Sequence, residues 1–331
     1  MNQLETTGER TGHIARARPI ATGRPIPPSG ALPADIESPS RYSLPGGCVM
    51  VHDVGSYARV LMSSAMWMVA VPIIARAMGR MGANRALARV QRWWGRGVLR
   101  ALRVHLSIEG IEHIDSNEAY VIVPLHEGFV DAPALLQLPL DLRFVIRDEL
   151  LDYRMIGSML RTTRQIAVCP ERGVFGYRRL LRDAEAALRA GESVVIFAQG
   201  TVLGIESAFH IGAFHLARAL GRPILPVVLT GSHRVWEYPF SPRLRQGERM
   251  SMRVLAPVSA TDVCGATPSQ LRDRLQRLMK THALDGRMAP PRRFVPARDG
   301  YWDGYAYEID PAFAALTQDI ALHRAAYAAG R

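Results

Sequence analysis

Cysteine is scarce in this chain: Cys48, Cys169 and Cys264 are its three, widely spaced and odd in number. No Cys-x-x-Cys occurs, so neither a disulfide framework nor a structural zinc site is indicated, and a reducing cytosolic environment is the simplest reading. Acidic side chains are in the minority, 30 against 41 Lys and Arg, which leaves a formal net charge of +11. Such a balance suits an anionic partner: phospholipid head groups, phosphorylated substrates or nucleic acid. The mean hydropathy of +0.00 excludes a polytopic membrane protein. The first residues show no secretory-signal pattern. His-Glu-x-x-His and Gly-x-Ser-x-Gly are both absent, which argues against a zinc protease and against a serine hydrolase built on a nucleophile elbow.

What is present suffices for a substantial core. Apolar residues make up 48% of 331 positions, enough for one large α/β domain with extensions or for two small domains. Residues 1–48 hold seven prolines with several Gly and Ser and no hydrophobic period, as expected of a disordered arm. Residues 49–105 have a different texture. Val60–Ala75 reads VLMSSAMWMVAVPIIA without a charge. As a helix it would reach about 24 Å, short of a hydrocarbon core of ~30 Å, and Pro72 would kink it. This predicts an interfacial or half-inserted anchor, with a buried core helix or a full span as the alternatives. From Arg76 to Leu106 there are eight Arg and no Asp or Glu. Arg85, Arg89, Arg92, Arg96, Arg100 and Arg103 recur at steps of three or four, and Leu87, Val90, Trp94, Val98 and Ala101 fall on another face. A basic stripe beside an apolar one, with Trp93 and Trp94, fits a helix lying on anionic lipid, although Gly95 and Gly97 weaken it as a helix; the alternative is a solvated basic face over a packed core.

Residues 106–285 alternate short apolar runs with helical stretches. Tyr120–Pro124, Leu142–Ile146, Gln165–Val168, Ser193–Phe197, Pro223–Leu229 and Met250–Val258 are expected to be strands. Ala132–Leu138, Met155–Thr162, Val174–Ala190, Gly212–Leu220 and Gln270–Leu284 are expected to be helices. The alternation predicts an α/β layered sheet flanked by helices. Residues 286–331 form an extension with an aromatic run at 301–307 and a terminal helix from Pro311, expected to cover the domain surface.

One run could do chemistry. The first of these predicted strands leads directly into Leu125-His126-Glu127-Gly128-Phe129-Val130-Asp131. Open α/β sheets place their sites at the carboxyl ends of strands. His126 and Asp131 are five apart, a poor fit to one helix face, but Gly128 permits a tight turn between them. An Asp accepting from one imidazole nitrogen fixes the tautomer and leaves the other as a base. Alone this spacing is common.

Three later blocks give it weight: QIAVCPER ending at Arg172; Phe197-Ala198-Gln199-Gly200-Thr201; and PILPVVL with Pro226 inside it. With His126-x4-Asp131 ahead of them, the ordered set over residues 105–260 resembles the glycerolipid acyltransferase family, which includes lysophosphatidic acid acyltransferases. The resemblance implies direct transfer of a fatty acyl group from acyl-CoA or acyl-carrier protein to the hydroxyl of a lysophospholipid, in the first place 1-acylglycerol-3-phosphate. It implies His126 and Asp131 as the catalytic pair and Arg172, Gln199, Gly200 and Thr201 as acceptor-binding residues. It implies no metal or organic cofactor, and a place at the cytoplasmic face of an anionic membrane; no nucleic-acid partner is expected. Two departures stand out. Ala198 and Gln199 replace the family's Pro and Glu, so the third block keeps its glycine and loses its charge. Glu206 is a candidate to supply a carboxylate instead. The alternative is a catalytically weak lipid-binding or regulatory protein on the same fold. His210, His215 and His233 are expected to pack or hydrogen-bond, and Cys169 to be a small core residue.

Overall fold

The computed structural model describes residues 84–152, 154–169, 173–237, 244–300 and 306–329, with isolated positions between 55 and 74. The arm 1–48, most of Val60–Ala75, and Arg172 lie outside the described residues.

Seven strands form one sheet: β1 (His105–Glu109), β2 (Val121–Pro124), β3 (Leu142–Arg147), β4 (Ile166–Val168), β5 (Ser193–Val195), β6 (Ile224–Thr230) and β7 (Arg249–Val254), in the order β1-β7-β6-β2-β5-β3-β4. All neighbours run parallel except β6 and β7, where Val227 faces Val254 and Thr230 faces Ser251. The central strands β2 and β6 are buried along their whole length, which is why they read as continuous apolar runs. β1 was not among the expected strands. Its sequence HLSIE alternates exposed and half-buried residues at the sheet edge, so it lacks the apolar density that marks the others.

The helices are α1 (Asn84–Ala101), α2 (Asp131–Leu135), α3 (Arg154–Thr162), α4 (Gly173–Arg189), α5 (Gly212–Leu220), α6 (Ser232–Trp236), α7 (Ala260–Gly265), α8 (Pro268–Ala283), α9 (Pro296–Asp299) and α10 (Ala314–Ala329). Two apolar layers enclose the sheet. One gathers Leu180, Ala184, Phe214, Leu216, Leu271, Leu275 and Met279 from α4, α5 and α8. The other gathers Val98, Leu99, Leu135, Leu138, Trp236 and Met252. Thr267 caps α8: its hydroxyl accepts from Gln270 N, and the Gln270 side chain returns to the Thr267 backbone.

Helix α1 has a packed side as well as a basic one. Ala88, Val98 and Leu99 are buried against the domain, so this segment is partly a packed helix and not only a basic surface. Arg103 lies beyond its end with a φ of 51°. Gly95 is no weakness here, because a Cβ at that position would stand 2.9 Å from Pro133 O, and its absence lets α1 approach α2. Arg92 reaches Asp141 at 2.5 Å, while Trp93 stays 58% exposed. Among the described residues no helix is long and apolar enough to cross a membrane.

Candidate active site

β2 ends at Pro124 and delivers His126 to the carboxyl edge of the central sheet, between the loops that follow β5 and β6. His126 Nδ1 lies 2.8 Å from Asp131 Oδ2. The same oxygen accepts the backbone N–H of Glu127 at 2.7 Å and of Gly128 at 3.0 Å. Asp131 N in turn donates to Gly128 O, closing the turn. Asp131 is fully buried, and its other oxygen, Oδ1, has no hydrogen-bond partner among the described residues. A carboxylate held this way favours the tautomer with the proton on Nδ1, which leaves Nε2 as the basic nitrogen. The imidazole is 25% exposed and stacks on Phe197, with ring centroids 3.9 Å apart.

Gly128 serves this turn by its size. A Cβ there would meet Trp236 O at 2.8 Å and Ser232 Oγ at 3.2 Å, so the α6 segment can close over the turn only because no side chain intervenes. Phe129 N donates to Trp236 O from the same approach.

The third block behaves differently from the acceptor-binding role that the family resemblance implies. Gln199 is 1% exposed. Its Oε1 accepts the backbone N–H of His126 at 2.8 Å and its Nε2 donates to Gly204 O at 2.9 Å. Both ends of the amide are thus engaged by backbone, and the residue holds His126 in place instead of facing a ligand. Gly200 adopts a φ of 66° and is exposed, with the His210 ring beside it. Its N–H is committed to Phe197 O. Thr201 is buried, and its hydroxyl has no hydrogen-bond partner among the described residues. Glu206 is not a spare carboxylate: it is buried, bonded to Arg293 Nε at 2.5 Å and to Phe294 N at 2.8 Å. Arg172 follows edge strand β4, which β5 and β3 separate from β2.

Sequence reasoning left Glu127, Arg292, Glu237 and Asp299 without roles. Glu127 is buried beside the pair, with His233 Nδ1 at 3.0 Å from its Oε2 and Arg292 N donating to its Oε1 at 2.9 Å. No local signal could have found the Arg292 contact, since 165 positions separate the partners. Among the described residues no group of three or more His, Cys, Asp or Glu could hold a metal ion.

The sheet thus sets a histidine held by a buried Asp at the carboxyl end of a central strand, an arrangement able to take a proton from an alcohol. Residues 105–230 match the acyltransferase family model. It is 25% identical over 171 residues to a 1-acyl-sn-glycerol-3-phosphate acyltransferase of Cocos nucifera, covering 51% of this chain and 54% of the relative. It is 28% identical over 134 residues to the chloroplastic 1-acyl-sn-glycerol-3-phosphate acyltransferase BAT2 of Brassica napus, covering 39% and 38%. The chain therefore spans about half the length, or less, of these relatives. The fold is shared with the crystal structure of PlsC, the 1-acyl-sn-glycerophosphate (LPA) acyltransferase of Thermotoga maritima, at a TM-score of 0.56 and 18% identity, over 70% of this chain and 95% of that one.

Proposed function

We propose that the chain transfers a fatty acyl group from a thioester to the free hydroxyl of 1-acylglycerol-3-phosphate, with acyl-CoA or acyl-carrier protein as donor. The observation that carries this reading is the His126–Asp131 pair at 2.8 Å, with the carboxylate buried and the imidazole partly open. His126 Nε2 removes the proton of the acceptor hydroxyl as its oxygen attacks the thioester carbonyl carbon. The tetrahedral intermediate collapses, the C–S bond breaks, and the proton on Nε2 passes to the departing sulfur. Asp131 stabilises the imidazolium between these steps. The acceptor is the nucleophile, so no acyl-enzyme forms. The thioester supplies the activation, so the reading calls for no metal or organic cofactor.

The acceptor's phosphate is assigned to Arg172, whose planar fork suits it, and the basic excess of the chain favours the same ligand. The reading also places the chain at the cytoplasmic face of a membrane. Trp93 lies among Arg89, Arg92 and Arg96 around a groove of about 330 Å³. Val174 and Phe175, 64% and 78% exposed at the start of α4, stand at the end of the sheet where His126 lies.

The deciding experiment incubates the purified full-length chain with lysophosphatidic acid, other lysophospholipids and glycerol 3-phosphate. Acyl-CoA or acyl-carrier protein is the donor, and mass spectrometry reads the products. Acylated lysophosphatidic acid formed by the wild type and not by His126→Ala is the expected result. Absence of any acylated product with every donor and acceptor defeats the proposal.

A further inference from the structure

Behind the reacting pair lies a second cluster of buried charge. Glu127 sits between His126 and Gly128, and its carboxylate is held from two other parts of the chain. Oε2 accepts Gly231 N at 2.7 Å and meets His233 Nδ1, both from the segment after β6. Oε1 accepts the backbone N–H of Arg292, which belongs to the extension beyond the matched family region. The Arg292 guanidinium is itself buried. It donates to Glu237 Oε1 at 2.6 Å, to both oxygens of Asp299 at 2.9 Å, and to the carbonyl of Leu203. The Arg292 carbonyl receives Ile205 N at 2.9 Å.

These bonds converge on His126 from both sides. The turn 126–131 is fixed through Glu127, whose N–H points at Asp131. The loop after β5 is fixed through Leu203 and Ile205, and that loop carries Gln199, the acceptor for His126 N. Catalytic loops are the segments of a fold most prone to local opening. Here one arginine with a single buried setting ties two of them together.

We infer that Arg292 and Glu127 are positioning residues, and that residues 286–300 complete the active site from behind instead of only covering the domain. The inference rests on His126 and Asp131 being the reacting pair. Glu127 does not touch the reacting atoms; it sets the turn that aims two N–H groups at Asp131. Misplacing a general base by about 1 Å costs on the order of 10²-fold.

The test uses Arg292→Lys, Arg292→Met and Glu127→Gln in the full-length chain. Arg292→Lys keeps a charge for Asp299 and the backbone bond to Glu127 but loses the two-pronged grip on Asp299 and the bonds to Glu237 and Leu203. Glu127→Gln puts an N–H donor where an oxygen now accepts backbone N–H. Two readouts apply to samples with native circular dichroism. One is steady-state transfer. The other is the deshielded proton resonance of the His126–Asp131 bond, assigned by its loss in His126→Ala. The expected result is kcat lowered about 10- to 100-fold with KM within about twofold, and the resonance shifted or broadened, with Arg292→Lys milder than Arg292→Met. An unmoved resonance in native-like Glu127→Gln and Arg292→Lys overturns the inference, whatever kcat does. If Arg292→Lys does not fold, Glu127→Gln decides alone. The resonance reports the pair whether or not acyl transfer is the reaction. A wild type without transfer whose resonance still responds to these variants defeats only the functional reading.

Discussion

Gln199 Oε1 accepts the backbone N–H of His126 while Gln199 Nε2 donates to Gly204 O, so one buried amide bridges the 126–131 turn and the loop after β5. A glutamate here, as in the wider family, would present oxygen to the Gly204 carbonyl at 2.9 Å. Gln199→Glu is therefore expected to destabilise this chain by about 1–3 kcal/mol, the cost of an unsatisfied buried polar contact, and not to raise activity. Urea denaturation beside a transfer assay checks it. Unchanged stability with higher kcat would mean that the amide bridge is incidental.

His126→Ala is expected to abolish detectable transfer with the fold intact, since removing a general base typically costs about 10²- to 10⁴-fold. Asp131→Asn keeps a group of the same shape but withdraws the charge that stabilises imidazolium. An Asn oxygen can still accept the N–H groups of Glu127 and Gly128, so its loss should fall on kcat more than on folding. Near wild-type kcat in either variant contradicts the mechanism.

Arg172→Ala is expected to raise KM for a phosphorylated acceptor by roughly 10- to 150-fold, the equivalent of about 1.5–3 kcal/mol for a charge-assisted bond. The donor KM should move little. An equal loss with a phosphate-free acceptor shows that Arg172 does not read phosphate.

The sheet was legible because its central strands are buried on both faces and consist of little but apolar residues, as in VIVP and ILPVVLT. Strand β1 escaped because an edge strand with Ser107 and Glu109 outward has no such signature. The His126–Asp131 turn was legible because both members lie within six residues and a glycine separates them. The orientation of Gln199 was not, since nothing local distinguishes a glutamine facing a ligand from one bridging backbone. The Arg292 contacts to Glu237, Leu203 and Glu127 cross 55, 89 and 165 positions, which only the folded chain brings together.

Lys280 gives a test of the C-terminal attachment. It is buried in α8, bonded to Asp310 Oδ2 at 2.7 Å and to Ser207 O at 2.9 Å. Burial pushes its ammonium below the usual lysine value, against the pull of Asp310 and Glu206. The unfolded chain keeps this proton to about 10.5 and the folded chain releases it sooner, so stability from this group rises with pH across that window. Lys280→Met leaves Asp310 buried without its cation and should cost about 3–5 kcal/mol. The gap between wild type and variant in denaturant titrations should widen as pH approaches 10.5. A gap that narrows shows that the pair, not the burial, governs the proton.

The membrane reading concerns two surfaces on separate elements. Trp93 projects from α1 among Arg89, Arg92 and Arg96, and Val174 with Phe175 opens α4, ahead of Arg178, Arg179 and Arg182. Large exposed apolar side chains flanked by arginine suit the boundary between head groups and acyl chains of an anionic leaflet. Each Arg near such a surface contributes about 1 kcal/mol, and the proposed acceptor lipid would reside in the same leaflet. The full-length chain is expected to sediment with vesicles containing anionic phospholipid, less with neutral ones, and to be partly released by salt as surface charge is screened. Phe175→Ser and Trp93→Ser should each weaken sedimentation severalfold while leaving transfer to a soluble short-chain acceptor intact. Wild type that stays in the supernatant with anionic vesicles at low salt rules out a lipid surface as the partner.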